Sequence, residues 1–569
     1  MWSSVHFTLR CLTGVTLAAL LGSGGAVCGQ DTRASTTDRA PVAWSPVAAP
    51  VVPAEGAGHE RELPPPGGSV APTLPCCTDE GIDWTKIPRV RAFPRPGFFP
   101  IPPTGPEYYS LLDHLNGDER PAPPKYPYPR VGPIQPSFFD LDNFAYLDDP
   151  KNTEYDLFDP LKRIRCDDWL FVTGGEVRGR YENRWNDRLG QRDNVYGLGR
   201  VRTYGDLWYR DDFRLYVEGI FAASAWHNLE PLPIDQNRAD FLNLFFDLKI
   251  AEVDGAPAYV RVGRQELLFG SQRLISPLDW ANTRRTFQGV RAFRTTEELD
   301  VDLFWVQPVA IDTARLDSVD NNQNFGGAWV TFRPEKGQAI DAYYLMLDNT
   351  SRVVQKGVNR GNFTRHTLGG RYSGDEDGFL WDLEAAIQLG QQRGRDVVAG
   401  MATAGAGYHW EDVEWTPTVW AYYDFASGDN SPNSGTVTTF NQLFPFGHYY
   451  LGWIDQVGRQ NIHDLNFHLY AYPTKWLTTW VQYHCFWLAS PRDALYNAAG
   501  IAIRRDPTGR AGSHVGEELD VVLNFHLTTH ADLFTGYCYL WGGEFLQNTS
   551  GPKAAVDAGF YFLQMSYKW

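Results

Sequence analysis

Apolar and polar residues alternate along long stretches of the chain from Asp167 onward. In residues 169–185 one set of alternate positions is apolar or small, as at Phe171, Val177 and Tyr181. The other set is charged and consists of Glu176, Arg178, Arg180, Glu182 and Arg184. Because side chains two residues apart lie on the same face of a β-strand, this pattern predicts a strand with one apolar face and one charged face.

The same alternation recurs in residues 200–209, 213–221, 242–250 and 518–527. Its polar face carries Arg200, Arg202 and Asp206 in the first of these segments, and Arg214 and Glu218 in the second. In residues 242–250 the alternation assigns Leu242 and every second residue after it to the apolar face. The pattern persists over about 400 residues, which at about 10 residues per tilted strand plus turns corresponds to roughly sixteen to twenty strands.

Strand length separates the two architectures that produce such alternation. Strands of a soluble β-sandwich usually have about 5 to 6 residues, whereas several alternating segments here are longer, as bilayer-spanning strands must be. Aromatic residues near the predicted strand ends fit the interfacial girdles of a membrane barrel. These residues are Trp476, Trp480, Trp487, Tyr537, Tyr539, Trp541 and Tyr567. We therefore predict an all-β transmembrane antiparallel barrel.

The C-terminal segment "GFYFLQMSYKW" supports this prediction. Trp569, Tyr567, Met565, Leu563 and Tyr561 share one parity, with polar residues between them. The segment resembles the C-terminal strand of bacterial outer-membrane barrels, which marks the chain for insertion. We therefore expect the barrel-insertion machinery to recognise the strand that ends at Trp569.

The N-terminus has the pattern of an export signal. A single Arg10 precedes the apolar run 12–21, and small residues suited to cleavage follow near Gly29. The run is shorter than the ~20 residues of a spanning helix. A lipoprotein anchor on Cys28 is disfavoured because Val27 is a poor match to the small residue that such a site requires. We predict a signal peptide over residues 1–29, an N-terminal extension over 30–166 and the barrel over 167–569.

Proline dominates the predicted extension, for example in "ELPPPGGSVAPTLP" and "RPAPPKYPYP". Proline fixes φ and lacks a backbone donor, so we expect a largely irregular segment outside the sheet. The aromatic clusters "GFFP" and "SFFDLDNFAYL" offer docking groups, but the composition favours a plain mature extension.

Charge and cysteine content exclude several classes of function. The 68 acidic residues exceed the 51 basic ones and give a formal net charge of −17, which argues against a nucleic-acid partner. The 7 cysteines are scattered apart from the adjacent Cys76 and Cys77, so they predict neither a disulfide framework nor a metal site. We expect no metal and no cofactor.

Three segments resemble a known family. They are "VGRQELLFGSQRLISPLDWANTRRTFQGVR", "YYDFASGDNSPNSGTVTTFNQLFPFGHYYLGWID" and "GEELD", and together they resemble the alginate export family of outer-membrane barrels over roughly residues 169–569. The resemblance implies a monomeric barrel of about 18 antiparallel strands in the outer membrane of a Gram-negative-type bacterium. It also implies contact with outer-membrane lipid and an arginine-rich lumen that passes a polyuronate such as alginate.

Parity and this resemblance select a set of candidate lumen residues. The cations are Arg178, Arg180, Arg200, Arg202, Arg214, Arg261, Arg264, Arg284, Arg285 and Arg291, and the nearby acids are Glu176, Glu182, Asp206, Glu218, Glu266 and Asp279. Arginine suits a carboxylate polymer because its planar fork binds carboxylates bidentately. The alternative is that the arginines and acids form ion pairs that only brace the wall.

The segment "DWANTRRTFQGVR" has two interpretations. It forms either an inward-folded loop that narrows the pore or a turn network in which Asp279 and Asn282 pin two strands, and the network with one pore-facing arginine is favoured. The polar segment "SGDNSPNSG" at 427–435 admits calcium, but an ordinary surface loop is favoured.

Two other functions compete with an anionic polysaccharide conduit. A general or sugar-specific diffusion porin, or one for small anionic solutes, would share the fold. A hydrolase would use His463, Asp464 or His468, but His463 and Asp464 have opposite parity and no nucleophilic serine motif accompanies them. We therefore predict a channel and not an enzyme.

Overall fold

The computed structural model describes residues 101, 103–126, 137–140, 144–359, 361–431 and 434–569. The predicted signal peptide, the candidate lipid site at Cys28, the Cys76–Cys77 pair and the proline-rich stretch up to residue 100 lie outside the described residues.

Eighteen long antiparallel strands form one closed sheet, which confirms the predicted fold class. The strands are β1 (Trp169–Trp185), β2 (Asn194–Tyr209), β3 (Phe213–Ala225), β4 (Asn237–Val253), β5 (Ala256–Gln265), β6 (Phe287–Thr295), β7 (Leu299–Ala310), β8 (Gln323–Phe332), β9 (Ala339–Asn349), β10 (Phe363–Glu376), β11 (Phe379–Gln392), β12 (Arg395–His409), β13 (Thr418–Ala426), β14 (Ile462–Thr474), β15 (Leu477–Trp487), β16 (His514–His526), β17 (Ala531–Gly542) and β18 (Ala558–Lys568). Each strand pairs with its neighbours in sequence, and β18 pairs with β1 to close the barrel. Closure removes the exposed edges that an open sheet would present to lipid.

Connections differ in length between the two ends of the barrel. At one end, here called the turn side, β2–β3 joins through residues 210–212, β4–β5 through 254–255 and β14–β15 through 475–476. At the other end, the loop side, the connections include residues 266–286, 427–461 and 488–513. β1 begins and β18 ends on the turn side, so the N-terminal extension enters there.

Several shorter elements pair with the barrel strands or lie in the connections between them. The strand Ile164–Cys166 pairs with the start of β1, Ser318–Val319 pairs with the end of β7, and Thr436–Val437 lies parallel to β12. Two small hairpins, Val354–Gln355 with Val358–Asn359 and Ala494–Tyr496 with Ala502–Arg505, lie in loop-side connections. The helices are Leu111–Asn116, Gly447–Tyr450 and Glu544–Asn548, and short 3-10 turns cover Phe138–Asp140, Ala145–Asp148, Asp159–Leu161 and Asp187–Leu189.

None of the helices in the described ranges is long and apolar enough to cross a membrane.

Along the strands, exposed apolar side chains face outward, and the buried inward side chains include most of the charged residues together with several aromatic ones. Leu368, Ile387 and Leu303 are typical outward residues, with 58%, 52% and 54% exposure. Leu242, which the alternation places outward, is buried instead, so that assignment is wrong. It is the extra residue of a β-bulge in β4, between Phe241 opposite Gly219 and Asn243 opposite Glu218. A bulge adds one residue to a strand and therefore reverses the parity on one side of it.

Two loop-side connections fold inward and meet inside the barrel. The first inward loop is residues 266–286, and the second is residues 427–461. Ser276 donates its backbone N–H to the carbonyl of Phe444 at 2.9 Å, and Phe444 donates to Leu274 at 2.9 Å. These bonds make a short parallel bridge that satisfies backbone groups held away from water.

Aromatic side chains pack between the inward loops and the wall. Trp453 of the second inward loop lies against Trp480 of β15, Phe534 of β17 and Phe562 of β18. Trp480 is 1% exposed and faces the lumen, so its predicted place in an interfacial girdle is wrong. Trp480 has the same parity in β15 as the inward residues Thr478 and Gln482, so alternation identifies it as inward. An aromatic ring is compatible with both the membrane interface and the packed lumen.

The N-terminal extension is also partly ordered. Phe138 and Phe139 are 6% and 3% exposed and pack against inward residues of β2, β3 and β4. The interpretation of "SFFDLDNFAYL" as a plain extension is therefore wrong for these two residues. Their burial comes from the aromatic inner face of the barrel on the turn side, which includes Tyr204, Tyr216 and Phe245.

Candidate functional site: the arginine rows of the lumen

Arg178 on β1 and Arg200 on β2 are direct cross-strand partners with their side chains buried in the lumen. Arg200 donates to Glu176 Oε1 at 2.6 Å and to Asp279 Oδ1 at 2.9 Å. Arg178 donates only to oxygens of the first inward loop, chiefly the backbone carbonyl of Asp279 at 2.8 Å and that of Ala281 at 3.2 Å. The loop therefore supplies both the carboxylate and the carbonyl groups that stabilise two like charges at adjacent positions.

Arg180 lies one step further along β1 toward the loop side. Its guanidinium stacks on the ring of Trp280 at 3.8 Å and donates to the backbone carbonyl of Trp280 at 2.9 Å. It also forms an ion pair with Glu182 at 2.8 Å. Glu182 in turn accepts a hydrogen bond from Arg184, which was not among the predicted pore residues. This arrangement fixes the tip of the first inward loop against the wall.

A second like-charged pair lies further around the barrel. Arg261 on β5 and Arg291 on β6 are direct cross-strand partners on the luminal face. Arg261 binds Asp247 bidentately at 2.7 and 2.9 Å, and Arg291 pairs with Asp302 at 2.7 Å. Each arginine of this pair therefore has a carboxylate on the neighbouring strand.

Arg202 and Arg214 complete the row on β2 and β3. Arg202 pairs with Glu218 at 2.6 Å, and Arg214 binds Asp206 bidentately at 2.8 Å for both bonds. Glu218 also accepts a bond from Asn243 Nδ2 at 2.8 Å. In this row each of the two cations is therefore neutralised by a predicted acid.

The loop arginines Arg284 and Arg285 differ in their partners. Arg284 is buried between the carboxylates of Glu266 and Asp279 and hydrogen-bonds to both. Burial alone would raise the pKa of the Asp279 carboxyl, but Arg200 and Arg284 hold it well below its usual range. Asn282 is also part of this network because its Nδ2 donates to the carbonyls of Gly199 and Ala223 at 3.0 and 3.1 Å.

Arg285 joins the two inward loops. It donates to the carbonyl of Ser276 at 3.3 Å and to that of Pro445 at 3.2 Å. Burial lowers the pKa of Arg285 to about 10, which leaves it charged at neutral pH. Within the described part of the chain, no carboxylate oxygen lies within 4.0 Å of the guanidinium of Arg178 or Arg285. Arg178 is therefore a buried cation held by neutral oxygens, and Arg285 is a half-buried cation with neutral partners.

Arg264 is not a lumen residue, and its predicted place there is wrong. Its cross-strand partners Leu244 and Gln288 both face outward, and a cross-strand pair shares one face of the sheet. It lies at the loop-side end of β5, where it pairs with Asp240 at 3.3 Å and donates to the carbonyl of Asp317 at 2.8 Å. The residue has the opposite parity to Arg261, so strict alternation identifies it as outward.

The side of the lumen formed by β13 to β16 is acidic and histidine-rich. Asp464 pairs with His484 at 2.9 Å, while His468 bonds to Asn466 at 2.8 Å. His463 points away from them and bonds to the hydroxyl of Tyr423 at 2.6 Å. The three residues considered for hydrolysis therefore do not converge on one site.

Sequence reasoning missed a cavity of about 210 Å³ on the loop side. Arg365, Arg395 and Arg505 line it together with Asp429 and Asp493. Asp429 belongs to the segment considered for calcium, where it pairs with Arg395 at 3.1 Å. Across the described ranges, no three His, Cys, Asp or Glu side chains are grouped to hold a metal ion. The lining residues come from three connections and from the loop-side ends of β10, β11 and β12, so spacing along the chain gives no signal for the cavity.

The family model for alginate export matches residues 170–558, which is more than half of the chain. The chain belongs to the alginate export family. This family member has a closed barrel with two inward loops in its lumen, which is the architecture of a membrane channel. Its family points to an outer-membrane location. None of the curated proteins matches its sequence significantly.

Solved structures that resemble this family member include three proteins of Pseudomonas aeruginosa, of which OpdK and OprD are outer membrane proteins. OpdK has a TM-score of 0.47 at 12% identity and covers 70% of this chain and 98% of its own. OccK8 (OprE) has a TM-score of 0.46 at 13% identity, with 70% and 98% covered. OprD has a TM-score of 0.45 at 11% identity, with 70% and 94% covered.

Proposed function

We propose that this barrel is a conduit that carries an anionic polysaccharide, such as alginate, across the outer membrane of a Gram-negative-type bacterium. It acts as a monomer surrounded by outer-membrane lipid and is inserted through the strand that ends at Trp569. It performs no catalysis. Membership of the alginate export family supports the cargo class, and one feature of the lumen supports it independently.

That feature is the pair of like-charged cross-strand contacts, Arg178 with Arg200 and Arg261 with Arg291. Like charges placed directly opposite each other in a sheet are destabilising, so a wall built only for strength would avoid them. A polymer with one carboxylate per sugar needs closely spaced cations to replace its hydration. Arginine meets this need because its planar guanidinium binds carboxylates in two parallel hydrogen bonds.

The carboxylate of Asp279 now lies where a cargo carboxylate would bind. It contacts Arg200 directly, and the same loop covers Arg178 with backbone carbonyls. Passage therefore requires the first inward loop to move away from β1 and β2. Each site in the row is then a weak one, as transport demands, because a tightly bound cargo would not be released.

Single-channel recording on the full-length protein in planar bilayers tests this function. The reversal potential in a salt gradient measures anion preference, and added oligomannuronate measures block, with a neutral oligosaccharide of equal length as the control. Substitution Arg178→Gln should reduce both the anion preference and the block. The matched control Arg315→Gln changes an exposed loop arginine and should leave both unchanged.

Anion preference with block by the uronate alone supports the proposal. Conductance without preference and without block overturns it in favour of a general diffusion porin. Block by the neutral oligosaccharide as well would instead indicate a sugar-specific porin. Turnover in a lipid or peptide cleavage assay on the purified barrel would contradict the absence of catalysis.

A further inference from the structure

The N-terminal extension places a four-residue segment, Ser137–Asp140, inside the turn-side end of the lumen. Ser137, Phe138 and Phe139 are 0%, 6% and 3% exposed. Phe138–Asp140 forms a single turn of 3-10 helix, in which the N–H of Asp140 donates to the carbonyl of Ser137 at 2.9 Å. Phe138 and Phe139 of a proline-rich extension are thus as deeply buried as the residues of a protein core.

Phe138 covers one arginine of the luminal row. The guanidinium of Arg202 lies 4.1 Å from the centre of the Phe138 ring, within the range of a cation–π contact. The same ring packs on Tyr204 with centroids 5.1 Å apart. Arg202 therefore has Glu218 on one side and an aromatic ring of the extension on the other.

Phe139 covers the next part of the row. Its ring lies 4.7 Å from the guanidinium of Arg261 and packs edge-on against Phe245 and Tyr216 at 5.1 and 5.4 Å. Arg214 Nη2 donates to the backbone carbonyl of Phe139 at 3.1 Å. The segment therefore uses a guanidinium hydrogen-bond donor that faces the lumen.

Asp140 introduces a carboxylate at the like-charged pair. Burial raises the pKa of its carboxyl to about 6, the charges of Arg291, Arg261 and Arg214 act in the opposite direction, and Glu266 adds to the increase. Asp140 at the turn side thus parallels Asp279 at the first inward loop. In both places a like-charged pair of wall arginines faces a carboxylate on a segment that is not part of the wall.

The described extension is held to the barrel at points on either side of this segment. On the N-terminal side, Lys475 Nζ donates to the carbonyls of Thr104 and Pro106 at 2.8 and 2.9 Å. On the C-terminal side, Lys162 Nζ donates to the carbonyl of Thr173 on β1 at 2.6 Å. Both anchors are on the turn side, so the segment can leave the lumen without the extension leaving the barrel.

We propose that Ser137–Asp140 is a tethered occupant of a binding site for a carboxylate-bearing sugar chain at the turn-side mouth of the lumen. This inference rests on the proposed function. The site consists of Arg202, Arg214 and Arg261 with the aromatic rings of Tyr204, Tyr216 and Phe245. Guanidinium groups bind the carboxylates, and aromatic rings pack on the sugar faces. The cargo enters when its carboxylates displace the segment.

A tethered competitor lowers the apparent affinity for a free ligand by the fraction of time that the site is open. A segment that fills the site about 90% of the time raises the half-blocking concentration of a uronate about tenfold. The variant Phe138→Ala/Phe139→Ala removes the rings and keeps the wall arginines unchanged. The control variant Tyr155→Ala/Leu157→Ala removes two side chains of the same extension that are 77% and 74% exposed.

The experiment measures conductance and block by oligomannuronate added from the turn side for the full-length protein and both variants. Heat-dependent gel mobility and circular dichroism verify that each barrel is folded. The Phe138/Phe139 variant should show higher conductance and a half-blocking concentration about tenfold lower, while the control variant should match the natural chain. A folded Phe138/Phe139 variant with unchanged conductance and unchanged block would overturn the inference.

The two proposals fail in different ways. If the segment is an occupant but the barrel is not an anion conduit, the Phe138/Phe139 variant gains conductance without anion preference or uronate block. That result would show that the segment closes the lumen but that the site beneath it does not bind carboxylates. If the barrel is an anion conduit but the segment is not an occupant, the uronate blocks all three proteins at the same concentration.

Discussion

Trp280 of the first inward loop stacks on His448 of the second with ring centroids 4.0 Å apart and planes 13° from parallel. The opposite face of the indole is covered by the guanidinium of Arg180 at 3.8 Å. One side chain therefore links both inward loops to β1. This three-layer stack adds to the backbone bridge around Ile275 and Phe444 and to the bonds of Arg285 in joining the two loops.

The substitution Trp280→Ala should separate the two inward loops. Loss of a buried tryptophan costs about 3–5 kcal/mol, and the eighteen-strand sheet stays closed because its hydrogen bonds are unaffected. Hydrogen exchange of the amides in residues 272–281 and 444–453 should become faster, and the channel should open more often. Trp226→Ala, at an 81% exposed loop position, is the matched control. Unchanged exchange in a folded Trp280→Ala barrel would show that the stack does not hold the loops.

The substitution Asp279→Asn should release the first inward loop from β1 and β2. It removes one of the two carboxylate partners of Arg200 and of Arg284, and breaking a buried ion pair costs about 3–5 kcal/mol. Limited proteolysis of residues 266–286 should become faster, and anion conductance should rise. Asp254→Asn changes a 91% exposed aspartate side chain in a turn and serves as control. Faster proteolysis without any gain in conductance would show that release of this loop does not open the pore.

The sequence predicts the barrel well because each strand repeats the same two-residue alternation many times. Parity alone predicts Glu176, Arg178, Arg180 and Arg200 on the luminal face, and they lie there. Parity fails where one residue shifts the register, as at Leu242 in the bulge of β4. At Arg264 it is the family resemblance that fails, because parity identifies this residue as outward. Local backbone irregularity is decided by the neighbouring strand, which a single stretch of sequence does not reveal.

Alternation within the strands predicts the wall of the barrel but not the packing of its lumen. Tyr204, Tyr216, Phe245, Trp480 and Phe562 are aromatic residues at inward parity, where a water-filled channel would favour polar side chains. This anomaly is the signal that something apolar fills the barrel. The identity of the filling segments depends on contacts between residues far apart in sequence, such as Arg178 with Asp279 and Phe138 with Tyr204. Alternation within one strand carries no information about such contacts.

The outward band should tolerate apolar residues only. Leu368 lies near the middle of β10 and is 58% exposed, and its cross-strand partners Tyr344 and Ile387 also face outward. Leu368→Arg should lower the free energy of unfolding in lipid vesicles by about 2–4 kcal/mol, the cost of an arginine at the bilayer midplane. Glu335→Arg, in the exposed turn 333–338, should change it by less than about 0.5 kcal/mol. Equal effects of the two substitutions in guanidinium unfolding would contradict a lipid-facing position for Leu368.

Closure of the turn-side mouth should depend on pH through Asp140. Burial raises the pKa of the docked Asp140 carboxyl to about 6 from its ordinary value of 3.8, and this outweighs the lowering by Arg291, Arg261 and Arg214, while Glu266 adds to the increase. Because the docked form binds the proton more tightly, docking takes up a proton between these two values. Docking is therefore strongest at low pH and weakens as the pH rises through about 6.

We expect the conductance of the full-length protein to be lower at about pH 5 than at about pH 7.5, since the docked segment loses its proton over this range. Asp140→Asn keeps a neutral side chain at every pH and should hold the mouth closed at both values. The Phe138→Ala/Phe139→Ala variant should be open at both, which separates docking from titration of Glu266 or of the wall carboxylates. Equal pH dependence in all three proteins would assign the effect to another group. A higher conductance at the lower pH in the natural chain would reverse the sign and contradict proton uptake on docking.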